Sequence, residues 1–239
     1  MRIQKLSILI PAFNEANTIR KVLQNLFDLK LYNDVLKEII LINDCPTDST
    51  EHEIELFQQE NPNSNILIFN QPFNQGKGAA IQQGIKMATG DYIIIQDADL
   101  ELNPEDINLL LQKAIDENID IVYGSRFLNK NHKNTSFVWH ILGNGFLTKL
   151  CNLFSGYNLT DMMTCYKLIP SSIVKSIVLK ENRFGFEPEI TMKLSKYKQL
   201  KIEEVPISYD ARNKNEGKKI SYLDGIRSIY CILKYRFIN

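Results

Sequence analysis

Hydrophobic positions in the first half of the chain follow two alternating patterns. Short runs rich in Ile, Leu and Val predict strands: Leu6 to Ile10, Glu38-Ile39-Ile40-Leu41-Ile42, Ile66 to Phe69, Tyr92 to Ile95 and Ile119 to Tyr123. Between them, apolar residues recur every three or four positions. Ile19, Val22, Leu23, Leu26 and Phe27 predict one helix, and Ile107, Leu110, Leu111, Ala114 and Ile115 another, with Pro104 near its first turn. Further helices are expected from about Ser49 to Glu60 and from about Gly76 to Ala88. Strands without polar alternation, separated by helices, are covered on both faces and therefore pair in parallel. The fold expected is α/β, a mostly parallel central sheet flanked by helices. Such sheets bind ligands at the carboxyl ends of their strands.

The second half is less regular. Ser136 to Ser155 is amphipathic and mostly apolar, Pro206 to Tyr209 is a candidate last strand, and Ser221 to Phe237 reads as a basic amphipathic helix. No repeat or linker interrupts the chain, so residues 1–239 are expected to form one domain. With 44% apolar and 23% charged residues, the chain is not disordered throughout. A run of about 18 uncharged apolar residues is absent, against a polytopic membrane protein. The N-terminal apolar run is broken by Pro11 and lacks a full signal-peptide core.

Charge divides the chain. Residues 1–127 carry 10 Lys/Arg and 19 Asp/Glu, a balance of −9; residues 128–239 carry 18 and 9, a balance of +9. The acidic front suits a cation, and the basic back suits a phosphate or an acidic membrane surface. Cys45, Cys151, Cys165 and Cys231 form no CxxC pair and do not group with His52, His132 or His140. Zinc binding and Cys/His nucleophilic chemistry are therefore unsupported, and reduced thiols in a cytoplasmic setting are expected.

The candidate chemistry lies at the strand ends. Glu15 follows the first strand, Asp44 ends the second, and Asp97 and Asp99 end the fourth, all on one sheet edge. A single acid there is commonly a helix cap. Four repel one another unless a cation or hydrogen-bond donors compensate. An Asp-x-Asp after a buried strand offers two oxygen ligands to Mg2+ or Mn2+, which leave positions open for phosphates. The competing reading of that segment is a solvated loop ahead of the helix after Pro104.

Taken together, Pro11-Ala12-Phe13-Asn14-Glu15, Asn43-Asp44, Asn74-Gln75-Gly76-Lys77-Gly78 and Asp97-Ala98-Asp99 resemble the signature of family 2 glycosyltransferases, in spacing and in order. Within that family the chain is similar to the dolichyl- or polyprenyl-phosphate mannosyl- and glucosyltransferases. The resemblance implies a GT-A (Rossmann-like) fold, with residues 1–127 binding nucleotide-sugar and metal and residues 128–239 serving the acceptor and membrane interface. It implies that Pro11, Phe13 and Glu15 line the nucleoside pocket and that Asp44 contacts base or ribose. Asp97 and Asp99 would bind the donor diphosphate through Mg2+ or Mn2+, with Ala98 between them at the substrate. Glu101 stands where relatives carry a Gln or Glu near that metal; on its own it reads as a helix-start acid. Lys77 would reach a phosphate or be solvated. The first strand is not followed by G-x-G-x-x-G, and Gly76-Lys77-Gly78 is not a Walker A loop.

In the resembling enzymes an Arg matching Arg126 helps hold the lipid phosphate; the plainer alternative is an ion pair to the acidic loop. Tyr209-Asp210-Ala211-Arg212 and Gly217-Lys218-Lys219 are similar to a family loop near the donor diphosphate, which makes Arg212 and Lys218 candidate cations. The chain departs from that loop by a longer Asn213-Lys214-Asn215 spacer and by the doubled lysine. Asp161 matches a family Thr-Asp and either shapes the acceptor site or caps. Glu187 and Glu189 fall near where relatives that use hydroxyl acceptors carry a base; a phosphate acceptor is already an anionic nucleophile and needs none. Phe137 to Phe154, with Trp139, Leu142, Phe146 and Lys149, and Ile226 to Phe237 are candidate membrane faces, with core packing as the alternative.

The reading that follows is a metal-dependent inverting transferase. It moves mannose or glucose from a GDP- or UDP-sugar to a polyprenyl phosphate. Asp97, Asp99, Arg126 and Arg212 carry the reaction, at the cytoplasmic face of a membrane or beside an anchoring partner. Nucleic acid is not an expected partner. Three alternatives remain open: a family 2 transferase using a sugar hydroxyl, a non-catalytic nucleotide-sugar-binding protein, and a nucleotidyltransferase. The last would require an early Gly-rich pyrophosphate loop that the chain lacks.

Overall fold

A computed structural model describes residues 3–128, 138–211 and 222–238. Its strands are β1 (Lys5–Ala12), β2 (Leu36–Asn43), β3 (Leu67–Asn70), β4 (Tyr92–Ile95), β5 (Ile121–Ser125), β6 (Lys167–Pro170) and β7 (Ile202–Pro206). They form one sheet in the order β3-β2-β1-β4-β6-β5-β7. The pairs β1–β2, β1–β4, β2–β3 and β5–β7 are parallel; β6 runs antiparallel to both β4 and β5. The helices are α1 (Ile19–Asp28), α2 (Thr50–Glu60), α3 (Lys77–Met87), α4 (Ile107–Asp116), α5 (Val138–Ser155), α6 (Ser171–Ser176), α7 (Phe186–Leu194) and α8 (Tyr222–Phe237).

The five strands expected in the first half are all present. β1 lies inside the sheet, and Leu6, Ile8, Leu9 and Ile10 are fully buried, with Ser7 the single polar residue in the run. α1 covers the sheet with Ile19, Val22, Leu23 and Leu26. In-register pairing carries β1 and β2 to the same edge, where Ala12 faces Asn43. The loops after β1, β2 and β4 therefore leave the sheet together.

The second half departs from expectation in three elements. The last strand is Ile202–Pro206, not 206–209. Glu203 and Glu204 interrupt its apolar run: on this edge strand Glu203 is exposed, and Glu204, on the other face, accepts from the amides of Thr160 and Asp161. Pro206 ends it, and residues 207–211 continue over the sheet edge. β6 was not anticipated, since Lys167 breaks its short apolar run, yet that lysine is buried. α7 shows no amphipathic period because all nine of its residues are buried, Glu187, Glu189 and Lys193 included.

α5 and α8 pack on each other and on α7. Leu147, Thr148 and Cys151 of α5 and Ser228, Cys231, Ile232 and Tyr235 of α8 are buried, whereas Leu142, Phe146, Leu153, Leu223, Ile226, Leu233 and Phe237 are exposed. Among the described residues no helix is long and apolar enough to cross a membrane.

Candidate active site

A cleft of about 1040 Å3 opens along the carboxyl edge of β1, β2 and β4. Pro11, Phe13 and Glu15 reach it from β1, Asp44 from β2, and Lys77 from the start of α3. Asp97, Ala98, Asp99 and Glu101 follow β4, and Arg126 follows β5. All of these sequence-predicted residues share the one cavity. Arg212 and Lys218 lie outside the described residues.

The walls are cross-tied. The Glu15 amide donates to Thr50 Oγ1 (2.8 Å), and the Thr18 hydroxyl sits 2.7 Å from the Ala98 carbonyl and 3.0 Å from Glu15 Oε2. Asp44 is 2% exposed. Its carboxylate accepts from Gln71 Nε2, Asn74 Nδ2 and the amides of Gln75 and Gly76, at 2.8 to 3.0 Å. Burial pushes this carboxyl above its usual range against the pull of the two amides. In the free protein Asp44 is thus the clamp of the 74–76 loop. Gly76 has φ +96°, and a Cβ there would stand 2.5 Å from the Asn182 carbonyl; one on Gly78 would stand 2.2 Å from that of Glu181. Both glycines let the loop at 181–184, with Arg183 and Phe184, close over the cleft.

At the end of β4, Lys77 Nζ lies 2.6 Å from Asp97 Oδ1 and 3.9 Å from Glu187 Oε1. Burial by itself would raise the Asp97 carboxyl, but the Lys77 ammonium, the Cys165 thiol and the Arg126 guanidinium outweigh it and hold it below the usual range. Asp99 Oδ1 accepts from the Glu101 amide (3.1 Å), and Tyr209 Oη donates to Glu101 Oε2 (3.1 Å). Among the described residues, no three His, Cys, Asp or Glu side chains converge as a ready-made metal cage. The donors at Asp97 and Asp99 are all oxygen, and a lysine ammonium already stands against one of them. That chemistry fits a hard cation that takes its other ligands from phosphates and water.

Arg126 forms a two-pronged ion pair with Asp161, Nε to Oδ2 at 2.7 Å and Nη2 to Oδ1 at 2.8 Å. Its partner is thus the Asp of the Thr-Asp motif rather than the acidic loop. Asp161 is fully buried, and Asn144 Nδ2 also donates to it (2.8 Å). The guanidinium lies 5.2 Å from the Tyr209 ring centroid and 5.7 Å from that of Phe127. This arrangement fixes a cation in the cleft wall with its plane set by carboxylate and rings.

Glu187 and Glu189 part company. Glu189 is fully buried and accepts from the amides of Lys180 and Glu181 and from Lys193 Nζ. Glu187 lines the cleft, with Oε2 bonded to the buried Lys167. Sequence reasoning missed Lys167, Cys165, Arg183 and Phe184. The one signal was a lysine inside the short apolar run before Pro170.

A family model described as Glycosyl transferase family 2 matches residues 7–178. The dolichyl-phosphate beta-glucosyltransferase ALG5D of Trichomonas vaginalis is 30% identical, over 95% of this chain and 72% of its own. The dolichol-phosphate mannosyltransferase of Pyrococcus furiosus is 25% identical, over 97% of this chain and 64% of its own. Among solved structures, glucosyl-3-phosphoglycerate synthase of Mycobacterium tuberculosis with uridine diphosphate superimposes with a TM-score of 0.71 at 18% identity, covering 99% of this chain and 81% of that one. The same enzyme with Mn2+, UDP-glucose and phosphoglyceric acid gives a TM-score of 0.68 at 18% identity, over 99% and 81% of the two chains.

Proposed function

The chain belongs to glycosyl transferase family 2, and from that premise we propose that it transfers a hexose from a nucleotide sugar to a polyprenyl phosphate. It is a hexosyltransferase with the GT-A fold. UDP-glucose is the first donor to test, because the ALG5 relatives are named beta-glucosyltransferases and the synthase structures hold UDP or UDP-glucose. GDP-mannose is the second, by likeness to the mannosyltransferase.

In this reading Pro11, Phe13, Glu15 and Asp44 hold the nucleoside. Asp97 and Asp99, with Glu101 beside them, would hold Mg2+ or Mn2+ near the donor diphosphate at Ala98, and Lys77 would contribute its charge from the cleft floor. The ion's contribution is to neutralise charge on the departing diphosphate. Arg212 and Lys218, further along the chain, would do the same. Arg126 orients the acceptor phosphate. One phosphate oxygen attacks the anomeric carbon from the face opposite the diphosphate. The new carbon–oxygen bond forms as the old one breaks, and its electron pair leaves with the nucleoside diphosphate, inverting the centre. The protein contributes chiefly position and charge.

The observation that carries the reading is one cleft with carboxylates at the end of β4 and an anchored guanidinium across from them. A phosphate acceptor is favoured over a hydroxyl because each candidate base is already ion-paired with a buried lysine. Glu189 is buried under three donor groups, and Glu187 is bonded to Lys167. The exposed apolar residues of α5 and α8, flanked by Lys149 and Arg236, support a peripheral seat on an anionic membrane.

Purified protein with Mn2+, UDP-glucose or GDP-mannose and a short polyprenyl phosphate should yield a chelator-sensitive glycolipid, with Asp97→Asn and Asp99→Asn slower by about a hundredfold or more. Donor turnover onto a sugar hydroxyl but never onto lipid phosphate would overturn the acceptor. Full activity in both Asn variants would overturn the metal site.

A further inference from the structure

Two carboxylates and two lysines meet at the floor of the cleft. Lys77 is bonded to Asp97, and the fully buried Lys167 is bonded to Glu187 Oε2. The fourth corner is open: Glu187 Oε1 is buried, and among the described residues it has no hydrogen-bond partner. A buried carboxylate oxygen without a donor is costly, so such an atom calls for an explanation. Lys77 Nζ stands 3.9 Å from it, beyond hydrogen-bonding distance.

We propose that Glu187 is a positioning residue whose Oε1 receives the Lys77 ammonium when a divalent cation takes over the Asp97 carboxylate. The inference rests on the metal reading given above. With no ion at Asp97, Lys77 neutralises it, and four charges balance in pairs. A dication there repels the ammonium from its present place. Oε1 is the closest anionic alternative, and a shift of roughly 1 Å on a flexible four-carbon stem brings Nζ to hydrogen-bonding distance. The Phe184 ring, with its centroid 6.0 Å from Nζ, forms part of the wall beside that path. Lys77 thereby stays at the cleft floor instead of being driven into solvent. Glu187 acts through Lys77 and takes no proton from the acceptor.

The test is Mn2+ binding to the full chain, read by electron paramagnetic resonance without nucleotide. The proteins compared are wild type, K77M, E187Q, the double variant and D97N. K77M removes the competitor and should bind Mn2+ about tenfold more tightly, whereas E187Q removes the destination and should bind several-fold more weakly. In the K77M background the E187Q effect should vanish, because no ammonium remains to be seated. An equal E187Q effect in both backgrounds would mean a simple field effect and would overturn the proposal, as would no effect in wild type. Unchanged Mn2+ affinity in D97N would instead reject the metal site itself.

A wild-type crystal structure with Mn2+ and UDP reads the same event without relying on a variant that must fold. Nζ within about 3.2 Å of Glu187 Oε1 is expected. Nζ in solvent, on the diphosphate or still on Asp97 overturns the proposal, and Mn2+ away from Asp97 and Asp99 rejects the reading beneath it.

Discussion

Arg126 owes its fixed pose to a residue 35 positions away, the fully buried Asp161. Asp161 is itself held by Asn144, and its own amide donates to Glu204. Loss of that carboxylate releases the guanidinium while leaving its charge in the cleft. D161N should raise the KM for polyprenyl phosphate about tenfold or more while moving the donor KM far less. Equal effects on both substrates would argue against an acceptor role for Arg126. A second residue, Glu38, reports on stability at the opposite end of the sheet. Burial would raise its carboxyl, but bonds from Lys5, Ser7 and Thr89 lower it from 4.5 to about 2. A depressed carboxyl stabilises the fold above its unfolded value and loses that contribution as pH falls through its folded one. E38Q should therefore lower Tm at pH 7, and the gap to wild type should close as pH falls from 4.5 towards about 2. A gap that does not change with pH would sink this account.

At the scale of elements, the first turns of α3 and the 181–184 loop are joined by close approach. The Ala79 amide donates to the Asn182 carbonyl at 3.1 Å, and Gln82 Nε2 to that of Glu181 at 3.2 Å. Glu181 is in turn gripped by Arg227 and Tyr235 of α8. Gly78→Ala forces these segments apart. It should cost about 1–3 kcal/mol in denaturant unfolding and raise the donor KM, since Arg183 and Phe184 move with the loop. Gly145→Ala on α5 is the control. A Cβ there meets nothing within 4 Å, so it should be neutral or stabilise by roughly 0.5–1 kcal/mol. Similar unfolding curves for the two variants would show that the close approach is not what holds the loop. Elements of this kind were unevenly legible in the sequence. β1, β2 and β4 declared themselves because both faces are buried. β6, β7 and α7 did not, because buried charge or an exposed edge broke the pattern that periodicity detects.

The whole molecule is polar in charge, with the acidic half supplying the strand-end carboxylates and the basic half supplying α5 and α8. Their outward faces carry Leu142, Phe146, Leu153, Ile226, Leu233 and Phe237. If these meet a bilayer, the triple variant F146S/L153S/F237S should bind anionic vesicles at least about tenfold more weakly in sedimentation, with turnover of a water-soluble short-chain acceptor unchanged. Undiminished sedimentation would assign those faces to something other than lipid.

The sequence by itself determined the order of strands and helices in the first half, the strand ends on which Glu15, Asp44, Asp97 and Asp99 sit, and the family. These depend on local periodicity and on short motifs, which are written in consecutive residues. Only the tertiary structure decided which charges meet. Arg126 faces Asp161 rather than the acidic loop, Glu189 is sealed in the core, and Lys77 stands between Asp97 and Glu187 with Lys167 behind. Those partners come from elements far apart in the chain. Burial is what makes their pairing obligatory, because a charge removed from water must find its counter-charge wherever the fold brings one near.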